Sequence, residues 1–183
     1  MDNGASSYRR YLNGDNSAFD EIIKDYFDSL VFFIDRYVHD TTVAEDIAMD
    51  AFSDLIVYRN RYNFRVALKT YLFMIGRSRA LNYIKHRGKL SMVELSEAEQ
   101  LTSDEPDPEE TFLADERKRA VNKALEQLSE ELRVVVHLVY FEELSCEEAA
   151  RVMKKSRKQV YNLLYRAKNA LRAILGEEGE PVL

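Results

Sequence analysis

The chain has 183 residues, of which 46% are hydrophobic and 32% are charged, and its formal net charge is −6. This is the composition of a folded globular protein, and the length allows one large or two small domains. No apolar run approaches the roughly 18 residues that span a bilayer, and the N-terminus lacks the apolar core of a secretory signal. The single cysteine, Cys146, cannot form an internal disulfide. We therefore expect a cytoplasmic protein that is not inserted in a membrane.

Acidic and basic residues are segregated along the chain. Residues 1–54 are mainly acidic, residues 55–93 carry nine basic and no acidic side chains, and residues 94–116 carry ten acidic and no basic ones. Surfaces that only keep a protein soluble usually mix both signs. Basic blocks on either side of an acidic one therefore indicate two anion-binding surfaces.

The N-terminal third predicts a buried helix. Apolar residues recur every three or four positions from residue 16 to residue 34, with a stripe wide enough to be well buried. Tyr8, Tyr11 and Leu12 predict a short helix or turn before it.

The next predicted helix covers residues 42–58 and carries a row of carboxylates. Asp46, Asp50 and Asp54 lie four residues apart, so they line up on its outer face, where like charges repel. The row is either a solvated face or a docking face for a basic partner. A metal site is disfavoured because no histidine lies at ligand spacing.

Basic and aromatic residues alternate between residues 58 and 89. The periodicity predicts a helix over residues 67–86, preceded by a loop over residues 62–66. Cations that follow a phosphate backbone, and rings that stack on bases at about 1–3 kcal/mol each, are what single-stranded nucleic acid requires. Some of these rings are expected to be core, but a core does not explain nine bases without an acid.

Residues 91–112 are acidic, contain proline and lack sustained periodicity, which predicts a flexible linker. Helical periodicity returns over residues 113–128. Ser129 is expected to cap a buried helix over residues 130–141, although its valine-rich run has strand-like propensity. We hypothesise that the acids of residues 94–116 shield the basic surfaces of the free protein.

Two helix starts follow each other within residues 144–175. Ser145 precedes Glu148 by three residues, and Ser156 precedes Gln159 by three, so both pairs fit the capping box. The first helix is predicted to end near Met153 and the second to cover residues 157–175. A short helix, a tight turn and a longer helix form the helix-turn-helix pattern.

The charge of this segment favours DNA binding over an ordinary helical hairpin. Residues 149–176 hold eight basic and no acidic side chains, and such a face attracts phosphate. One feature disagrees with the motif: the turn has Lys154 where a glycine would adopt a left-handed backbone more readily.

Nothing in the sequence indicates an enzyme. The three histidines are scattered, and we find no catalytic pair, glycine-rich phosphate loop or nucleophile motif. We expect no cofactor and no metal.

Taken together, the motifs resemble those of a bacterial RNA polymerase sigma factor of the extracytoplasmic-function (ECF) group of the sigma-70 family. GDNSAF, AEDIAMDAFSDL and LKTYLFMIGRSRALNYIKHR follow one another in the order of sigma domain two. LSEELRVVVHLVYFEELSCEEAARVMKKSRKQVYNLLYRAKNALR resembles sigma domain four. The resemblance implies an all-α fold of two small helical domains joined by an acidic linker. It divides the chain into domain two over residues 1–90, the linker over 91–112, domain four over 113–176 and a tail over 177–183.

The resemblance also implies roles for particular residues in a transcription initiation factor. Core RNA polymerase, through its β′ clamp and β subunit, is the expected partner of the residues Asp46, Met49 and Asp50. Melted −10 promoter DNA is the expected ligand of the residues Tyr62, Arg65, Lys69, Arg77, Ser78, Arg79 and Asn82. Duplex −35 DNA is the expected ligand of the residues Lys158, Gln159, Tyr161, Asn162, Tyr165 and Arg166. An anti-sigma factor is a common further partner in the family.

Two other functions remain open at this point. A conventional helix-turn-helix regulator would bind duplex DNA without polymerase, usually as a dimer. A helical adaptor would bind acidic proteins and show no dependence on promoter sequence. The separate basic-aromatic block favours the sigma factor over both.

Overall fold

The computed structural model describes residues 4–91 and 121–175, and every secondary-structure element in these ranges is helical. The N-terminal half consists of α1 (Ala5–Leu12), α2 (Ser17–Val38), α3 (Thr41–Val57) and α4 (Leu68–Ser91). The C-terminal half consists of a helical segment over residues 121–126, α5 (Glu130–Val136), a π-helix (His137–Phe141), α6 (Cys146–Met153) and α7 (Arg157–Leu175). The all-α fold class is confirmed. The linker beyond Ser91, its proposed shielding role, residues 113–120 and the tail lie outside the described residues.

The helix α2 is the centre of the N-terminal half, because α1, α3 and α4 all pack against it. Its apolar stripe is buried as the periodicity predicted. The fully buried ring of Phe33 lies 5.5 Å from the Tyr37 ring and 4.8 Å from the Phe73 ring, measured between centroids. Phe33 therefore ties α2 to α4.

A glycine allows α4 to cross α2 closely. A Cβ atom at Gly76 would lie 2.9 Å from Leu30 Cδ1 and 3.1 Å from Ile34 Cδ1. The crossing fixes the surface that α4 exposes. This helix continues to Ser91, five residues beyond the predicted end at His86, since Gly88 does not interrupt it.

The predicted helix over residues 130–141 is helical throughout but changes its pitch. After Val136 it continues as a π-helix, in which the Glu142 amide donates to the His137 carbonyl oxygen at 3.0 Å. The wider turn buries His137 and Leu138 while Tyr140 and Phe141 remain about half exposed. Sequence periodicity alone does not reveal such a change, because π-turns are rare single-turn features.

The helix-turn-helix is confirmed, with both predicted capping boxes in place. The Ser145 hydroxyl accepts from the Glu148 amide at 3.2 Å, and Glu148 Oε2 accepts from the Ser145 amide at 2.9 Å. The second start repeats this reciprocal pattern between Ser156 and Gln159. Lys154 adopts the left-handed conformation, with φ 54° and ψ 44°. The turn therefore forms without the usual glycine, at a conformational cost of about 1–2 kcal/mol.

The two halves also touch directly, which the sequence did not predict. The helix α5 packs on α2, and α6 packs on α4. At this contact the buried His137 ring lies 5.3 Å from the Phe32 ring, 6.0 Å from the Phe33 ring and 5.7 Å from the Phe141 ring, measured between centroids.

The buried pair His137 and Glu142 lies at the centre of this contact. His137 Nε2 is 3.2 Å from Glu142 Oε1. Burial lowers the pKa of His137; Glu142 opposes this, while the Arg36 and Lys69 cations act with it. Burial tends to raise the pKa of Glu142, but its contacts with His137 and Lys69 prevail and lower it.

These two shifts predict that acid weakens the fold. Because the pKa of His137 is lower in the fold, the unfolded chain takes up that proton first, once the pH falls below about 6.5. The stability contributed by Glu142 is lost at lower pH, as the pH falls through its folded pKa. We expect the free energy of unfolding, measured by urea titration, to fall from pH 7 to pH 5. His137→Gln should flatten this dependence of the unfolding free energy on pH. His86→Gln, at an exposed position, is the control and should show a steeper dependence than His137→Gln. Equal slopes in both variants would contradict the assignment to His137.

Candidate functional site

The second helix of the helix-turn-helix presents a polar and aromatic face. Its buried stripe consists of Val160, Leu163, Ala167 and Leu171. All six residues predicted from the sequence to contact −35 DNA lie on the exposed side, and they are Lys158, Gln159, Tyr161, Asn162, Tyr165 and Arg166. The geometry therefore leaves the whole predicted set available to a ligand.

Two local contacts orient side chains on this face. The Arg157 guanidinium donates to the Tyr161 hydroxyl at 3.1 Å and lies 5.5 Å from the centre of its ring. Gln159 Oε1 accepts from the Ser156 amide at 2.7 Å in the capping box. The cap occupies the oxygen of Gln159, which leaves its amide nitrogen as the group that can donate to DNA.

The residues predicted to bind −10 DNA differ in exposure. Arg65 in the loop and Asn82 on α4 are exposed, whereas Lys69, Arg77, Ser78 and Arg79 are partly buried. The Lys69 ammonium is engaged by Glu142, which is 2.8 Å away. The predicted residues therefore lie along α4 and the loop before it, but several of them are only partly exposed in this conformation.

The structure removes Tyr62 from the set of residues predicted to bind −10 DNA. Its side chain is only 3% exposed, and its hydroxyl donates to the Val66 carbonyl oxygen at 2.7 Å. Its ring packs on the rings of Tyr8 and Phe64, at 5.5 and 4.7 Å between centroids, and burial raises its pKa to about 12. A ring held in this way supports the loop and cannot stack on a base. The alternation of bases and aromatics does not separate rings in the core from rings at the surface.

Another aromatic of the basic-aromatic block, Tyr58, directly after α3, is exposed. Tyr58 is 43% exposed, and the Arg61 guanidinium lies 3.7 Å from the centre of its ring. Such a pair offers a flat ring and a cation together, as ligands with bases and phosphates require. Both residues belong to the basic-aromatic block, but nothing in the sequence distinguished them from its other cations and rings as candidates for binding nucleic acid.

The row of carboxylates on α3 is partly neutralised. Arg79 on α4 donates to Asp50 Oδ2 at 2.8 Å and to Asp54 Oδ2 at 2.9 Å. This explains how like charges are tolerated at four-residue spacing. Arg79 and Asp50, predicted from the sequence to serve different ligands, thus pair with each other. Asp46 and Met49 are exposed, Met49 to 52%.

The residues that the structure describes were searched for metal-binding groups and for membrane-spanning helices. No group of three or more His, Cys, Asp or Glu side chains within them is placed to hold a metal ion. None of the helices within residues 4–91 and 121–175 is long and apolar enough to cross a membrane.

Comparison with known families gives two matches, in the same order as the two halves. Residues 22–90 match the family model of sigma-70 region 2, and residues 118–171 match that of sigma-70 region 4. The region 2 match covers the acidic row and the basic-aromatic block. The region 4 match covers the helix-turn-helix as far as residue 171.

Curated relatives match over most of their length. The chain is 33% identical over 172 residues to the RNA polymerase sigma-H factor of Pseudomonas aeruginosa, which covers 88% of each protein. It is 30% identical, again over 88% of each protein, to the ECF RNA polymerase sigma-E factor of Escherichia coli K12.

Solved structures share the fold at lower identity. The sigma factor RpoE from Bartonella quintana, in complex with the anti-sigma factor NepR, superposes with a TM-score of 0.70 at 20% identity, covering 87% of this chain and 97% of that one. CnrH in complex with the cytosolic domain of CnrY gives a TM-score of 0.65 at 19% identity, with 95% and 97% covered.

Proposed function

Because the chain belongs to the ECF group of the sigma-70 family of bacterial RNA polymerase sigma factors, we propose that its two halves divide promoter recognition between them. It is a transcription initiation factor that binds core RNA polymerase and directs it to specific promoters. A conventional regulator would leave the region 2 match without a role. The observation that carries the proposal is that regions 2 and 4 occur in order on one chain whose region 4 helix exposes all its predicted DNA-facing residues.

The N-terminal half, residues 1–90, binds polymerase and melted −10 DNA in this proposal. Asp46 and Met49, with Asp50, form the polymerase-docking face of α3. The −10 surface runs along α4 through Lys69, Arg77, Ser78, Arg79 and Asn82, with Arg65 in the loop before it. Tyr62 holds that loop in shape instead of stacking on a base. Asp50 of the docking face and Arg79 of the −10 surface form an ion pair. Binding of polymerase to Asp50 therefore affects binding of DNA to Arg79, and the reverse.

The C-terminal half, residues 113–176, reads duplex −35 DNA through α7, and residues 91–112 and 177–183 serve as linker and tail. Backbone amides and basic side chains at the start of α7 favour phosphate, while side chains further along reach base edges. Polymerase carries out the chemistry of RNA synthesis, so the chain needs no catalytic activity of its own. We place its action in the cytoplasm, with polymerase. An anti-sigma factor that covers these surfaces is a further expected partner.

The experiment that tests this function is promoter-dependent transcription with purified core enzyme. Promoters selected from random DNA with the reconstituted holoenzyme should give transcripts only when the chain is present. Binding of the chain alone to duplex DNA, with no effect on polymerase, would contradict the proposal and favour a conventional regulator.

Arg166→Ala should weaken binding of the holoenzyme to its promoter. Arg166 is exposed on the proposed DNA face, and loss of a contact to a base edge costs about 1–3 kcal/mol. The loss of affinity caused by this substitution should be smaller on promoter DNAs whose −35 bases have been changed, as measured by filter binding to matched DNAs. Arg172→Ala, exposed in the last turn of the same helix, is the control. An equal loss on every DNA sequence would identify Arg166 as a phosphate contact.

A further inference from the structure

Three arginines lie against aromatic rings where α1 meets the segment between α3 and α4. They are Arg9 against Phe64 at 4.8 Å, Arg59 against Tyr11 at 5.2 Å and Arg61 against Tyr58 at 3.7 Å, measured from the guanidinium carbon to the ring centre. All three arginines are exposed, and we call them the arginine patch. A guanidinium has more N–H donors than these contacts use, so each keeps donors that a ligand can engage.

The arginine patch is not neutralised by acidic side chains. Arg10, the next residue on α1, pairs with Asp15 at 2.6 Å and with Glu21 at 2.9 Å. Arg79 pairs in the same way with carboxylates of α3. Among the ion pairs of the described residues, none includes a member of the patch. Exposed cations that are grouped together without acidic partners attract an anionic ligand.

The patch borders the proposed −10 surface. Arg9 lies over the ring of Phe64, the residue before Arg65 of the −10 set. The helix α1 also fixes this loop, because the Tyr8 ring packs 5.5 Å from the Tyr62 ring and 6.1 Å from the Phe64 ring. A DNA strand that is bound at Arg65 is therefore led directly onto the patch.

An exposed ring accompanies the three cations. Arg61 lies over the Tyr58 ring, yet Tyr58 is still 43% exposed. Single-stranded DNA presents both phosphates and the flat faces of unstacked bases, and it binds surfaces that combine cations with rings. Duplex DNA keeps its bases stacked, so it would engage the cations and leave the ring unused. The combination of groups therefore favours a single strand.

We propose that the arginine patch and Tyr58 form a second binding site for single-stranded promoter DNA. The guanidiniums bind phosphates of the strand that continues from the −10 surface, and the Tyr58 ring stacks on one of its bases. This inference rests on the proposed function, since the −10 surface brings the strand to the patch. It extends the DNA-binding surface to α1, which lies before residues 22–90 of the region 2 match.

The dependence of DNA affinity on salt tests the phosphate contacts. Holoenzyme would be bound to a labelled, selected promoter DNA with an unpaired −10 region, and fluorescence anisotropy would be measured over a series of salt concentrations. Each phosphate contact on a single strand contributes about 0.7 to the slope of log association constant against log salt concentration. Arg9→Gln should lower the slope by about this amount. Arg10→Gln is the matched control and should lower it much less, because Asp15 and Glu21 already hold that guanidinium.

The stacking contact has a different signature. Tyr58→Ala should weaken binding of the same DNA by about tenfold, which is within the range for the loss of one base stacked on a ring. The salt slope should not change, because the ring carries no charge. Tyr140→Ala removes a comparably exposed ring, at 46%, from the C-terminal half, and it should bind as tightly as the unsubstituted chain.

Shortening the unpaired strand separates a direct contact from mere support of the loop. The strand would be cut back to the −10 element, first on one side and then on the other. If the patch binds the continuing strand, one of the two truncations removes the difference in affinity between Arg9→Gln and the unsubstituted chain. Arg61→Gln should show the same dependence on strand length, which keeps the test decisive if Arg9→Gln disturbs the loop.

The results that would overturn the inference are specific. Equal salt slopes for Arg9→Gln and Arg10→Gln, or a loss of affinity that persists on both shortened strands, would contradict the phosphate contacts. Unchanged affinity of Tyr58→Ala would contradict the stacking. Failure of the proposed function is distinguishable, because the unsubstituted holoenzyme would then not bind the promoter DNA at all. Failure of this inference alone leaves that binding intact and removes only the differences between variants and controls.

Discussion

Asp46→Arg is expected to abolish stable binding to core RNA polymerase while the chain remains folded. Asp46 is exposed on α3, on the face that we propose for polymerase docking. A cation placed against a basic partner costs several kcal/mol, which corresponds to a loss of about 100-fold or more in affinity. Binding of labelled protein to core enzyme measures the effect.

Asp46 is a better choice for this test than Asp50. The Asp50 carboxylate lies 2.8 Å from the Arg79 guanidinium, so an arginine at position 50 would repel Arg79 and disturb the −10 surface as well. Asp25→Arg, at an exposed position on α2, makes the same charge change on another helix and should preserve binding. If Asp46→Arg binds polymerase normally, α3 is not the docking face.

Phe33→Ala is expected to produce the largest loss of stability among single substitutions considered for the N-terminal half. The side chain is fully buried and packs on Tyr37, Phe73 and His137. Removing a buried phenylalanine side chain typically costs about 3–5 kcal/mol, a large part of the stability of an ordinary domain. Urea unfolding followed by circular dichroism measures this loss.

The neighbouring Phe32 is the matched control. It has the same side chain, one position earlier on the same helix, but it is 52% exposed. Phe32→Ala should cost no more than about 1 kcal/mol, in line with substitutions at the surface. Similar losses in the two variants would contradict the assignment of Phe33 to the core that joins α2 with α4.

The helix-turn-helix shows how much of this molecule can be predicted from local sequence. Both capping boxes involve side chains three residues apart, and such short-range signals survive in any tertiary context. The second helix accordingly begins at Arg157, as predicted, and the described residues remain helical as far as Leu175. The exposed face of α7 follows from the same periodicity, since its buried stripe fixes which side chains remain outside.

The features that escaped prediction depend on residues distant in sequence. The burial of Tyr62 depends partly on Tyr8, whose ring lies against it, and no local pattern near residue 62 contains that contact. Arg79 pairs with Asp50 and Asp54 only because α3 and α4 are neighbours. The contact of Lys69 with Glu142 joins residues on either side of the acidic linker. Hydrophobic and charge patterns identify surfaces, but they do not show which surfaces meet.

Competition for core RNA polymerase tests the central claim most directly. Labelled protein would be titrated with purified bacterial core enzyme and then challenged with an unlabelled housekeeping sigma factor. We expect saturable binding that the competitor displaces, because the two proteins would occupy the same docking surface on polymerase. A folded chain that shows no saturable binding, or binding that the competitor does not displace, would contradict its action as a sigma factor.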